Sequence, residues 1–167
     1  TPIGKFAGTA EDPDMPDPSV AFTGTFNGGR HTISNLKIND AATARGVGLF
    51  GCTAGSAVIS DLTVKNAAVS AKAGSGVAAV VGMALQTNDA AIKNVALVGD
   101  NTISGISMVG GIIGGGYCGV ESCTASADIV LLSGAGNSAG ILAGGMSDMG
   151  TGCSIVSLSL IHISEPT

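Results

Sequence analysis

Read as hydrophobic and polar positions, the chain is a run of short apolar segments punctuated by Gly, Ser, Asn and Asp. Segments such as Thr102–Ser107, Met108–Gly114 and Cys123–Leu132 have the length and residue types of strands. No stretch sustains apolar residues at helical spacing over the length a helix needs. Laid beneath one another, the segments repeat. VGLFG ends at Gly51, AAVVG at Gly82, GGIIG at Gly114 and GILAG at Gly144, at intervals of 31, 32 and 30 residues. A second series, ISNL from Ile33, ISDL from Ile59, IKNV from Ile92 and VESC from Val120, follows a similar beat. Units of this size that cannot bury their own apolar face stack on their neighbours as a solenoid. The pattern predicts an all-β protein, a parallel β-helix of about five coils of roughly 30 residues, with three short strands per coil. Coils ~4.8 Å apart would make a prism ~25 Å long.

Composition sharpens this picture. The 167 residues include 27 Gly and five aromatics, none of them Trp, with 11% charged residues; mean hydropathy is +0.48. A core of Ala, Val and Ile must be thin and close-packed, which suits stacked strands better than helix bundles. The four repeat-closing glycines, Gly51, Gly82, Gly114 and Gly144, are expected at equivalent corners of successive coils. There they would supply positive φ or a close backbone approach. The domain reading is one solenoid over 1–155. Residues 1–21 form a cap with an acidic, Pro-rich insert, 22–153 the repeats, and 156–167 a tail.

The net charge of −5 and the absence of any basic residue after Lys93 argue against nucleic acid as a partner. Two uncharged stretches, Thr102–Val120 and Ile129–Ser147, have the length of membrane spans. The first holds seven Gly and neither has basic flanks, so no membrane insertion is expected. The chain opens on TPIGKF without Met, which reads as a piece of a longer protein with further domains.

The stretch FTGTFNGGRHTISNLKI, Phe22 to Ile38, followed by GVGLFG, resembles the GLUG repeat family. Gly24, Phe26, Gly28, His31, Thr32, Ile33, Asn35 and Leu36 match the family's opening motif, and Val47 to Gly51 its second motif. The likeness extends from Pro2 to about Cys153 and is strongest over residues 22 to 62. It implies a right-handed β-helix outside the cytoplasm, in bacterial secreted or surface proteins, or ahead of the catalytic part of IgA-cleaving metallopeptidases. It implies no activity, and the chain has no HExxH zinc motif.

Several local patterns imitate chemistry. Gly114, Gly116 and Gly119 satisfy GxGxxG, but the β-rich VESCTASADIV follows where a dinucleotide site needs a helix. No cofactor is therefore expected. GNSAG, residues 136–140, satisfies GxSxG, with Asp148 and His162 in hydrolase order, but their spacing leaves no room for an α/β-hydrolase fold. The insert EDPDMPDP, Glu11 to Pro18, reads as a solvated loop; Asp12, Asp14 and Asp17 are its candidate calcium ligands. Outside it the acids are spread one or two per coil, whereas glycan cleavage needs two carboxylates across a cleft. Asp61 occupies the place of Asn35 and Asn94 in the aligned repeats, which suggests a turn or an Asn ladder.

Cys123 and Cys153 are expected to stack in adjacent coils as buried thiols, with Cys52 and Cys118 in other registers. His31 reads as a turn-side hydrogen-bonding residue, and Ile33, Leu36 and Ile38 as the first core layer. The closing SLSLIHISEPT departs from the repeat style and resembles a translated sequencing adapter, which removes His162 from consideration. The expected function is a non-catalytic structural or adhesion module of a secreted or cell-surface bacterial protein. Its partner would be a host or matrix protein or a glycan. The alternatives are a glycan-binding or glycan-cleaving β-helix, or an accessory region of an extracellular peptidase.

Overall fold

The computed structural model describes residues 2–7, 17, 19–43, 45–86, 91–132 and 138–146, together with the backbone of 155–156 and 159–160. Every sheet pairing is parallel, and strands recur in sheet order turn after turn, as a β-solenoid requires. The first turn comprises β1 (Thr25–Ser34), β2 (Lys37–Asp40), β3 (Arg45–Val47) and β4 (Phe50–Gly55). The second has β5 (Val58–Lys65), β6 (Ala68–Ala71), β7 (Ser75–Val77) and β8 (Val81–Gln86). The third has β9 (Ile92–Val98), β10 (Thr102–Gly105), β11 (Ser107–Gly110) and β12 (Ile113–Tyr117). In the fourth, the first strand divides into β13 (Val120–Glu121) and β14 (Thr124–Ala125). It continues through β15 (Asp128–Leu131), β16 (Ala139–Gly140) and β17 (Ala143–Met146). β18 (Ile155–Val156) and β19 (Ser159–Leu160) add a further strand position onto β13 and β14.

Each turn thus carries four strands and contributes one to each of four sheets, where the periodicity predicted three. The difference lies in the apolar motif. VGLFG is a corner: Val47 ends β3, Gly48 and Leu49 bend, and Phe50 opens β4. The expected strand Met108–Gly114 likewise breaks at Gly111–Ile112, and Cys123–Leu132 breaks at Ser126–Ala127. All of these positions are apolar or small, so hydropathy alone cannot show where the backbone bends.

Inward columns form the core. Phe26 pairs with Ile59, Ile59 with Ile92, and Ile92 with Val120. A second column runs Ile38, Val69, Ile103, Ile129, and a third Phe50, Val81, Ile113, Ala143. Stacking like on like at one strand spacing lets β-branched side chains interdigitate with few voids. Three Phe residues gather in the first turn, with Phe50 5.1 Å from Phe22 and 5.3 Å from Phe26 between ring centroids. Ile3 and Phe22 pair with Phe50 and Thr53 along the outer edge of β4.

The register corrects the second repeat series. Ile59 and Ile92 are equivalent, but Ile33 pairs with Val64, and Asn35 stands beside Asn66 rather than Asp61. The cause is a bulge. Gly28, Gly29 and Arg30 oppose the single residue Asp61, so the first strand carries extra residues and ISN arrives late, at its end. Gly29 (φ 59°) and Arg30 (φ 62°) have the positive φ that such a bulge demands. His31, expected beside a turn, therefore belongs to a strand together with Arg30, and the corner falls at Asn35–Leu36.

Gly51, Gly82, Gly114 and Gly144 each hold the second position of a strand in one sheet. Phe50–Val81 and Cys52–Met83 flank Gly51 and Gly82, and equivalent pairs align Gly114 and Gly144 with them. None has positive φ. Glycine is required there for close approach: a Cβ on Gly82 would strike the backbone of Gly46 and Val47, and one on Gly114 that of Gly76 and Val77. Gly144 meets Met108 and Val109 in the same way. The positively twisted residues are their neighbours across this contact, Gly46 (φ 76°), Gly76 (φ 69°) and Met108 (φ 49°).

Candidate functional site

One set of polar contacts lies on the outer face of the sheet built from β1, β5, β9 and β13. Asn27 Nδ2 donates to Asp61 Oδ2 at 3.1 Å, and Asn94 Nδ2 donates to Asp61 Oδ1 at 3.1 Å. One carboxylate thus bridges three turns. Asp61 (φ 53°), Asn94 (φ 51°) and Ser122 (φ 51°) continue the column begun at Arg30, all in the left-handed region where short polar side chains are tolerated. Hydrogen bonds from Asn94 and Ser60, and then the charge of Arg30 and the bond from Asn27, hold the Asp61 carboxyl below the usual range. Asn27 also accepts from Gly29 N at 2.7 Å, and His31 Nδ1 lies 3.0 Å from Gly28 O.

A second polar device is buried. Asn101 is 2% exposed, and its Oδ1 accepts from Ala67 N at 2.7 Å. Its Nδ2 donates to Val98 O (2.9 Å), Gly99 O (3.1 Å) and Ser126 O (2.9 Å). This one amide ties the second, third and fourth turns at a corner, and it serves the backbone groups Ala67 N, Gly99 O and Ser126 O besides Val98 O, which also accepts from Asn66 N. Next to it, Asn66 Oδ1 accepts from Asp100 N at 3.1 Å. Sequence reading missed Asn101 and Asn66. Their only local signal is an Asx residue following an apolar strand, which is common to many solvent-exposed turns.

Two other carboxylates serve their own loops. Asp40 accepts from Thr43 Oγ1 (2.6 Å), Thr43 N (2.7 Å) and Ala42 N (2.9 Å), and these bonds hold its pKa down. Asp17 accepts from Ser19 N at 2.8 Å, and the Ser19 bonds lower it too. Asp12 and Asp14 lie outside the described residues, as do Gly136, Asp148 and His162. Among the described residues no group of three or more His, Cys, Asp or Glu could hold a metal ion. Gly114 and Gly116 sit in β12, and the chain continues into β13 rather than a helix, so the GxGxxG pattern builds no phosphate cradle here.

An open cavity of about 550 Å³ sits at the exposed end of the first turn. Leu36, Ile38 and Leu49 line its apolar side, and Lys5, Lys37 and Asp40 its polar side. Asp40 is the one carboxylate among the lining residues. Among the described residues no strand precedes Leu36 and Ile38 in their columns, and both are partly exposed, whereas their counterparts Ala67 and Val69 are buried.

Burial pushes the Cys52 thiol up to about 12 and the Cys123 thiol up to about 11. Both are reduced, and Cys118 is buried as well. Cys153 lies outside the described residues. The expected stacking of Cys123 on Cys153 therefore lies outside them too. No helix among the described residues is long and apolar enough to cross a membrane.

Among known proteins, Halomucin from Haloquadratum walsbyi (strain DSM 16790 / HBSQ001) is 38% identical to this chain over 94 residues. That match takes in 56% of the chain but only 1% of Halomucin's own length. No sequence-family profile and no solved structure matches the chain.

Proposed function

We propose that this chain is a non-catalytic structural segment of a secreted or cell-surface protein, a rigid rod of stacked turns that spaces or presents other parts. The observation carrying this reading is how the polar side chains are engaged. Asp61, Asn94, Asn101, Asn66 and Asp40 are all bonded within or between turns. An array built this way resists bending and shear, because each turn is locked to the next both in the core and on the surface. The partial likeness to Halomucin, whose name denotes a mucin, supports an extracellular setting. The resemblance to GLUG repeats supports right-handed winding and a surface-protein origin, and the repeat spacing of roughly 30 residues supports about five coils in the array.

The test is direct. Antibody raised against the folded segment should label intact cells that express the parent protein, without permeabilisation. Labelling only after permeabilisation defeats the surface assignment. A glycan array with specific hits, or release of reducing sugar from a bound glycan, replaces the structural reading with a carbohydrate-directed one.

A further inference from the structure

We propose that Asn27 is a self-modification site, at which the folded chain converts its own asparagine amide into an acid and so changes the lock between its first two turns. Asn27 is the sole Asn followed by Gly in the 167 residues, and it is exposed. Without a Cβ at position 28, the backbone nitrogen of Gly28 is unhindered as a nucleophile toward the Asn27 side chain.

Three contacts prepare the reaction. The 2.7 Å bond from Gly29 N to Asn27 Oδ1 closes a ring that contains both Asn27 Cγ and the Gly28 nitrogen, and it restricts the side chain to conformers on that side. The same N–H points at the oxygen on which negative charge develops when Cγ is attacked, as an oxyanion donor does. Asp61 Oδ2, 3.1 Å from Asn27 Nδ2, fixes which end of the amide faces Gly29. His31 Nδ1 lies 3.0 Å from Gly28 O, the carbonyl of the peptide whose N–H binds Oδ1. In the tautomer with the proton on Nδ1, His31 polarises that peptide and strengthens its donation.

The chemistry balances with water alone. Gly28 N bonds to Asn27 Cγ and the Cγ–Nδ2 bond breaks. The Gly28 proton leaves with Nδ2 as ammonia, producing a cyclic imide. Water then opens the ring at Cγ to give aspartate, or at the backbone carbonyl to give isoaspartate. Either product replaces the donor facing Asp61 with a second carboxylate, so an attractive rung becomes a repulsive one.

The experiment incubates the folded protein at neutral pH beside the same protein held unfolded in urea. Peptide mapping by mass spectrometry then follows conversion at every Asn. Held geometry predicts that Asn27 converts first and at least about threefold faster in the folded chain than in the unfolded one. The Asp61→Gly variant tolerates φ 53° and removes the carboxylate. It is expected to slow conversion at Asn27 by about threefold while circular dichroism shows the fold retained. Conversion equal or slower in the folded chain overturns the proposal, as does earlier conversion at another Asn. An Asp61→Gly variant that folds and converts at the parent rate overturns the part assigned to Asp61.

Discussion

Asn101 is where one side chain does most to join the turns, and its removal gives a calculable loss. In Asn101→Ala, the buried Ala67 N–H loses its acceptor, and the carbonyls of Gly99 and Ser126 lose a donor. Val98 O keeps the bond from Asn66 N, so the loss there is partial. One buried orphan donor costs about 1–3 kcal/mol, and the vacated space adds to it, giving about 2–4 kcal/mol in total. Against a domain stability of about 5–15 kcal/mol this is a large fraction. Urea unfolding followed by far-ultraviolet circular dichroism should show the midpoint fall by about 1–2 M with an unchanged slope. Asn101→Asp separates hydrogen bonding from packing. It keeps the shape and an acceptor for Ala67 N but turns an oxygen toward three carbonyls. Those carbonyls favour the protonated acid, so the folded pKa lies above the unfolded one. The variant is then at least as unstable as Ala at neutral pH and regains stability as pH falls through the folded pKa. An Asn101→Ala unfolding free energy within about 0.5 kcal/mol of the parent, or a neutral-pH Asp variant as stable as the parent, refutes the assignment.

Other outcomes follow from the same contacts. Gly82→Ala drives a Cβ into the backbone of Gly46 and Val47 and should cost about 3 kcal/mol or more, whereas Gly55→Ala meets open space and pays only the left-handed penalty of about 1–2 kcal/mol. Equal thermal midpoints for the two would contradict the close-approach argument. Gln86 is 1% exposed, and neither of its side-chain polar atoms has a hydrogen-bond partner among the described residues, so Gln86→Met should raise stability by about 1–2 kcal/mol in chemical denaturation; a loss of stability would show that the amide has an energetic role. The Asp61 carboxyl is lowered in the folded state, so its stabilisation is present above the unfolded pKa of about 3.9 and disappears as pH falls through the lower folded value. Asp61→Gly should flatten the acid limb of the stability–pH curve there, and an unchanged limb would assign the acid sensitivity to other groups.

Much of the architecture was legible in one dimension because a solenoid is nearly one-dimensional. Each turn meets only its neighbours, so apolar columns such as Ile59, Ile92 and Val120 reappear at one spacing in the sequence. The small-residue composition and the beat of Gly51, Gly82, Gly114 and Gly144 were enough to determine parallel stacking and the approximate period. Tertiary structure decided what periodicity averages away. The corner inside VGLFG, which makes four strands per turn, depends on where Gly46 and Gly76 can adopt positive φ beside the close-packed Gly82 and Gly114. The bulge at Gly28–Arg30 decided that Asn35 pairs beside Asn66 and left Asp61 to Asn27 and Asn94. Asn101 acquires its role only when residues from three turns converge on one amide, a coincidence in space that no local sequence pattern encodes.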